Sequence, residues 1–338
     1  MSGARPLRLG TRRSVLARSQ SEQVAAALRA ATGRDVHLVE VVTAGDTSTA
    51  SLSSIGGTGV FVSALREALL AGQVDLAVHS LKDLPTAPAD ALVLAAVPAR
   101  EDPRDVLVAR GGATLGELGA GARVGTGSPR RAAQLRALGL GLEVVDVRGN
   151  VDTRLRLVAD GRLDAVVLAR AGLLRVGRAG EASEVLDPLQ VLPAPGQGAL
   201  ALECRADDEE TRAACAALED TASRCAVTAE RALLAALEAG CTAPVGALAD
   251  LAEGEEGPEL FLRAVVAAPD GSRTLRRSAT GRPDDAAGLG RRLAAELLED
   301  GAADLVAAAV PSGHPATADE TTEPHHDTAA PAAGRVET

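Results

Sequence analysis

LRLGTRRSVLARSQSEQVAAALRAA, residues 7–31, decides the fold class. LRLGT (7–11) is a short strand-like run, and SVLARSQSEQVAAALRAA (14–31) sets its apolar residues on one face of a helix. A strand feeding directly into a helix of this length is the unit from which parallel-type α/β sheets are assembled. Outward from it the unit recurs. HLVEVV (37–42) and DLAVHS (75–80) read as strands around the helix FVSALREALLAG (61–72). Further on, DVLVAR (105–110), RVGTGS (123–128), LEVVDV (142–147) and AVVLA (165–169) read as strands separated by helical stretches at 129–139 and 151–160.

These repeats predict two α/β lobes. The Pro/Gly-rich LPAPGQGA (192–199) leads into a strand, ALALECR (199–205). Chain crossings near residues 98 and 199 would make the first lobe discontinuous, 1–98 with 199–219, around a second lobe of 99–198. A cleft between lobes is a preferred place for a ligand. From residue 220 the pattern changes: a helix at 221–240, strands at 244–251, 259–268 and 273–280, and a helix at 283–301. That predicts a small α+β C-terminal domain, 220–312, on an antiparallel sheet. Residues 313–338, rich in Pro, Ala, Thr, Asp and Glu, are expected to be disordered. TSTASLSSIGGTG (47–59) has no periodicity and reads as a lid.

Composition excludes several classes. The net charge of −11 over 338 residues argues against a general nucleic-acid binder. No run of 18 apolar residues occurs, and the N-terminus lacks a secretory apolar stretch, so a cytoplasmic, membrane-free protein is expected. Cys204, Cys215, Cys225 and Cys241 are widely and irregularly spaced, which fits neither a disulfide framework nor a zinc site. No metal is expected; the tail histidines read as solvated. Nothing suggests more than a monomer. Lys82 is the only lysine, and the aromatics are Phe61 and Phe261 alone, so a ligand site here cannot rely on aromatic stacking.

The chemistry gathers at strand ends. Arg12 precedes the helix opened by Ser14. In GTGSPRR (125–131), Ser128 is a candidate N-cap, Pro129 the first helical residue, and Arg130 and Arg131 lie in the first turn. In VRGNVDTR (147–154), Arg148 and Asn150 end a strand and Arg154 enters the next helix. Cations in a first turn oppose the helix dipole, so an anion is expected to join them, and arginine forks suit carboxylate or phosphate. Solvated arginines are the plain alternative. HSLKDLP (79–85) sets Ser80, Lys82 and Asp83 at a strand end, either a proton-transfer pair or a salt bridge. Cys241 follows a helix-ending glycine, where a thiol could serve covalent attachment.

Eight segments, in order, resemble the porphobilinogen deaminase (hydroxymethylbilane synthase) family. They are LGTRRSVLA (9–17), GGTGVFVSAL (56–65), DLAVHSLKDLP (75–85), REDPRDVLV (100–108), VGTGSPRRAAQL (124–135), VRGNVDTRL (147–155), LPAPGQGAL (192–200) and GCTAPVG (240–246). The resemblance implies two periplasmic-binding-protein-like lobes and a small third domain. It implies a transferase of tetrapyrrole biosynthesis that joins four porphobilinogen molecules head to tail with loss of ammonia, water then releasing the linear product. The primer would be a dipyrromethane cofactor in thioether linkage to Cys241. Asp83 would be the central catalytic carboxylate, with Lys82 beside it. Arg12, Ser14, Ser80, Thr126, Ser128, Arg130, Arg131, Arg148, Asn150, Arg154, Gly172 and Gln197 would contact cofactor or substrate, and Phe61 would shield the growing chain. One departure concerns the lid: many relatives carry two lysines where this chain has Ser54 and Thr58. Two rivals stand beside this reading. A phosphoribosyltransferase would use the same helix starts but leaves HSLKDLP and Cys241 unexplained; a solute-binding protein leaves the acid–amine pair unexplained.

Overall fold

The computed structural model describes residues 5–41, 59–240, 243–255 and 257–309, with backbone alone for 59–61. Residues 47–58 of the expected 47–59 lid, with Ser54 and Thr58, the side chain of Phe61, Cys241 and the 313–338 tail lie outside the described residues or side chains.

Two five-stranded sheets carry the first two hundred residues. The first contains β1 (Leu7–Thr11), β2 (Val36–Glu40), β3 (Leu76–Ser80), β4 (Leu92–Ala96) and the late strand β10 (Leu200–Arg205), in the order β2-β1-β3-β10-β4. The second contains β5 (Asp105–Ala109), β6 (Arg123–Gly125), β7 (Glu143–Val145), β8 (Ala165–Ala169) and β9 (Glu184–Val185), in the order β7-β6-β8-β5-β9. The two orders match position by position. In each, three strands run parallel and the fourth runs against them.

The sequence predicts parallel-type sheets, and the structure corrects that to mixed ones. The reversed strands, β5 and β10, are the two that begin just after a chain crossing. Each enters its lobe from the neighbouring one and so runs opposite to strands that arise from strand–helix–strand turns. The short strands β4 and β9 also went unread, the first because LVLAA lacks polar alternation.

Helices cover both faces of each sheet. In the first, α1 (Val15–Thr32) packs one face with Val24, Ala25 and Leu28, while α2 (Gly59–Leu70) lays Leu65, Ala68 and Leu69 on the other. In the second, α3 (Pro129–Ala137) and α4 (Val151–Ala159) take opposite faces through Leu135 and through Leu155 and Val158. β5 and β8 are buried almost throughout, as strands covered on both faces must be. A short α5 (Arg170–Arg175) of the second lobe reaches α1 of the first, where the Ser19 hydroxyl donates to the Arg175 carbonyl. α6 (Glu209–Ala216), capped by Asp208, closes the first lobe.

The crossings lie side by side. Glu101 N–H donates to the Gly198 carbonyl, and Gly198, at φ 88°, leaves no room for a side chain: an added Cβ would sit 2.3 Å from the Glu101 carbonyl oxygen. The remaining chain forms a three-stranded antiparallel sheet, β11 (Val245–Gly254), β12 (Gly257–Ala267) and β13 (Thr274–Gly281). α7 (Thr221–Ala236), α8 (Ala286–Glu299) and α9 (Ala302–Ala307) cover one face of it with Leu233, Leu289, Leu293 and Leu305. Glu230 on α7, fully buried, accepts from Arg100 of the first crossing, Gly196 N–H of the second and Ala249 N–H of β11. One carboxylate thus ties the crossings to the C-terminal sheet.

A second buried hub stabilises the first lobe. Asp75, wholly inaccessible, accepts from Arg5, from the Arg8 backbone and from both arms of the Arg8 guanidinium at 2.7–3.1 Å. Burial alone would raise this carboxyl, but the Arg8 hydrogen bonds and the Arg8 and Arg5 charges outweigh it and hold it at about 2. A carboxyl depressed by folding contributes stability that is complete above its unfolded value and is lost as pH falls through the folded one. The thermal-stability gap between the parent and Asp75→Asn is therefore expected to be wide at pH 7 and to narrow between about pH 4 and pH 2. Melting temperatures measured across that range check this; a constant gap would contradict it.

Candidate functional site

β3 ends in a tight turn, Leu81–Asp83. Its backbone is gripped from two sides. Leu81 N–H donates to the Ala199 carbonyl of the second crossing, and Arg231 on α7 donates to the Leu84 and Pro85 carbonyls at 2.8 and 2.7 Å. Asp83 projects exposed from this turn, with no hydrogen-bond partner among the described residues. Lys82 turns the other way, half-buried, and donates to Gln197 Oε1 at 3.3 Å. Burial lowers Lys82 to about 8; Asp83 and Asp105 pull it up, while Arg131 and Arg130 push it down.

Arg130 and Arg131 meet an anion, as their first-turn placement requires. The anion, however, belongs to the chain. Asp105, fully buried at the start of β5, accepts from Arg130 Nη2 at 2.8 Å, Arg131 Nη2 at 2.7 Å and Gln197 Nε2 at 2.7 Å. Burial would raise this carboxyl, but the two guanidinium charges and the hydrogen bonds hold it well below the usual carboxylate range. One carboxylate balances one of two guanidiniums, so the group stays net cationic, Lys82 adding to it. The Nε atoms of both arginines are buried without a protein partner among the described residues. Asp105 escaped the sequence reading, although a carboxylate opening an otherwise apolar strand is itself a signal that it is paired inside.

Gln197, 1% exposed, spends its whole amide within the protein: Nε2 donates to the Pro103 carbonyl and Asp105, and Oε1 accepts from Lys82 and Arg131. Its geometry positions Lys82 against the arginines and leaves it no free group for a ligand. Ser128 caps α3, its Oγ accepting from Arg131 N–H at 3.5 Å, and buried Thr126 Oγ1 accepts from Ser128 N–H. Ser14 and Asn150 likewise cap α1 and α4, so their acceptor oxygens are occupied and only their donors remain.

Arg154, half-buried, donates from Nε to the Gly149 carbonyl, and burial, then Arg131, lowers its guanidinium pKa. Arg148 is exposed and faces Asp146 at 3.5 Å. Gly127 permits the approach: a Cβ there would lie 2.5 Å from the Val147 carbonyl oxygen and 3.6 Å from Arg154 Nη2. Ser80 is bonded to Gln20 of α1 at 3.0 Å, Arg12 is half-buried beside α1, and a Cβ built on Gly172 would meet Leu16 Cδ2 across the lobes at 4.0 Å.

A hollow of about 320 Å³, counting its part open to solvent, is lined by Lys82, Ser128, Arg130, Pro195, Gly240 and Ala243, among others. Gly240 and Ala243 flank Cys241. Among the described residues no group of His, Cys, Asp or Glu is disposed to hold a metal, and no helix is long and apolar enough to cross a membrane. The other three cysteines are ordinary thiols: burial raises Cys204 to about 11, Cys215 to about 12, and Cys225 also upward. At neutral pH they are protonated and poor nucleophiles.

Residues 7–213 match the family described as "Porphobilinogen deaminase, dipyromethane cofactor binding domain", and residues 224–299 match "Porphobilinogen deaminase, C-terminal domain". The chain belongs to the porphobilinogen deaminase family. Porphobilinogen deaminase 1 of Streptomyces avermitilis is 62% identical over 89% of this chain and 97% of that protein. Porphobilinogen deaminase of Nocardia farcinica is 60% identical over 89% and 88%. Among solved structures, the periplasmic VFT2 domain of Bordetella pertussis BvgS is 18% identical with a TM-score of 0.39, covering 63% of this chain and 86% of that one. The two-lobe fold rests on the matching strand orders described above.

The Asp105 hub holds the Arg130 and Arg131 guanidinium groups in place. Asp105→Asn would strip the buried arginines of their counter-charge. A loss of about 3–5 kcal/mol of stability is expected, the range for breaking a buried ion pair from one side, together with weaker substrate binding. Denaturant midpoints and KM measure the two.

Proposed function

We propose that this chain, a transferase of the porphobilinogen deaminase family, condenses four porphobilinogen molecules head to tail on a dipyrromethane held by Cys241, and that Asp83 is the catalytic carboxylate. The observation that carries this reading is the hollow in which the flanks of Cys241 stand beside Lys82, Ser128 and Arg130, with Asp83 exposed on the turn that carries Lys82. The donor set fits a dipyrromethane: Lys82, Arg130 and Arg131 stand around the single buried carboxylate of Asp105, and the Nε atoms of the two arginines lack protein partners among the described residues. Bound there, the dipyrromethane supplies the nucleophilic pyrrole carbon to which each unit is added.

The chain's own residues do the rest. Arg130, Arg131 and Arg154 bind acetate and propionate groups by charge-assisted hydrogen bonds, and Lys82 adds a compact charge. The Ser14, Ser128 and Asn150 donors left over from capping orient them. Asp83, on a turn fixed by Arg231 and Ala199, would accept hydrogen bonds from pyrrole N–H groups. It offsets the positive charge that develops on the substrate methylene as ammonia departs, and it accepts the proton released when the new carbon–carbon bond forms. The crossings, pinned by Glu230, let the segments 1–98 with 199–219 and 99–198 act as two lobes around a fixed 220–312 domain. The protein works as a cytoplasmic monomer in this reading.

Intact mass tests it directly. The purified chain should exceed its sequence mass by two pyrrole units and colour with Ehrlich's reagent, and it should consume porphobilinogen. An unmodified, folded and active chain would refute the primer.

A further inference from the structure

Asp146 stands at the carboxyl end of β7, where the proposed site expects carboxylates to arrive from outside. Its side chain is 65% exposed and makes no hydrogen bond to backbone among the described residues. Its partners are arginines. Asp146 Oδ2 lies 3.5 Å from Arg148 Nη2. Its Oδ1 shares the face of Gly127 with Arg154 Nη2: a Cβ built on that glycine would be 3.7 Å from the one and 3.6 Å from the other. Asp146 also pulls electrostatically on Arg154, against the burial and the Arg131 charge that disfavour its cation. The buried guanidinium pair nearby, Arg130 with Arg131, has its own internal carboxylate in Asp105. Asp105 is locked by three hydrogen bonds in the interior, whereas Asp146 is free to swing into water.

We propose that Asp146 is a resident carboxylate that holds the place of a substrate carboxylate between Arg148 and Arg154 and yields it when the acidic pyrrole binds. This rests on the functional reading above. Two arginines without a counter-ion would repel each other and clamp a polyanion tightly; a displaceable aspartate lowers both effects. Each arriving carboxylate must compete with it, so binding at this edge is weakened and departure of a lengthening, increasingly anionic chain is eased.

Asp146→Asn in the full, primed chain is expected to lower KM for porphobilinogen about twofold to fivefold, the range an exposed ion pair commands, without raising kcat. The gain should vanish when Arg148→Ala is combined with it, because the two residues act through one another. Calorimetry with benzene-1,2,4,5-tetracarboxylate as a polyanion probe should show the same tightening independently of turnover. Unchanged or weaker binding in Asp146→Asn, or an equal gain in the absence of Arg148, would overturn the proposal. A parent chain that binds the tetracarboxylate as expected but leaves porphobilinogen unconsumed would overturn the functional reading and leave the placeholder standing.

Discussion

Cys241→Ser abolishes both the covalent adduct and turnover: this is the expected result, and the largest effect any single substitution here should have. A serine hydroxyl has far lower nucleophilicity at neutral pH than a thiol with thiolate character. Cys204, Cys215 and Cys225 offer no substitute, because burial keeps their thiols protonated. Folding should be nearly unaffected, since the exchange only replaces a sulfur atom with an oxygen. Intact mass, with porphobilinogen consumption, reads the outcome. An adduct surviving in the serine variant would move the attachment elsewhere and separate the hollow from its assigned role.

Asp83→Asn should keep the fold and most of the adduct yet cut turnover by about a hundredfold or more, the contribution typical of general acid–base and of charge-stabilising groups taken singly. The change is nearly isosteric, the side chain is exposed, and the turn beneath it is held by backbone bonds to Ala199 and Arg231, which the substitution leaves intact. What disappears is the negative charge. An amide cannot offset a cation or take up a proton, so the loss should fall on kcat rather than KM. Turnover within a few-fold of the parent would strip Asp83 of its role. The two substitutions fail differently: the first loses mass and activity together, the second activity alone.

Elsewhere the chain rewards reading in parts. The Ser128 cap was legible because a cap is local, bonding a backbone N–H three residues on; Ser14 and Asn150, read as a helix start and a strand end, cap their helices in the same way. The placement of Arg130 and Arg131 against their helix dipole correctly demanded an anion. That demand could not say whose anion it was. Asp105 lies 25 and 26 residues from the two arginines and meets them only because β5 runs back beside β8 after the first crossing. Gln197, expected to touch a ligand, is held between Lys82 and Asp105 by the second crossing, which no short-range pattern announces.

Sequence by itself determined the alternation of strands and helices, the break near residue 220, the strand-end clustering of arginines, the Lys82–Asp83 turn and the family, because periodicity, capping and motifs act over a few residues. Tertiary structure alone decided that one strand in each lobe runs backwards, that Glu230 and Arg231 of α7 hold the crossings and the Lys82–Asp83 turn, and which carboxylate answers each arginine. The reason is physical. Ion pairing and burial depend on distance in space, and the partners here lie tens to more than a hundred residues apart along the chain.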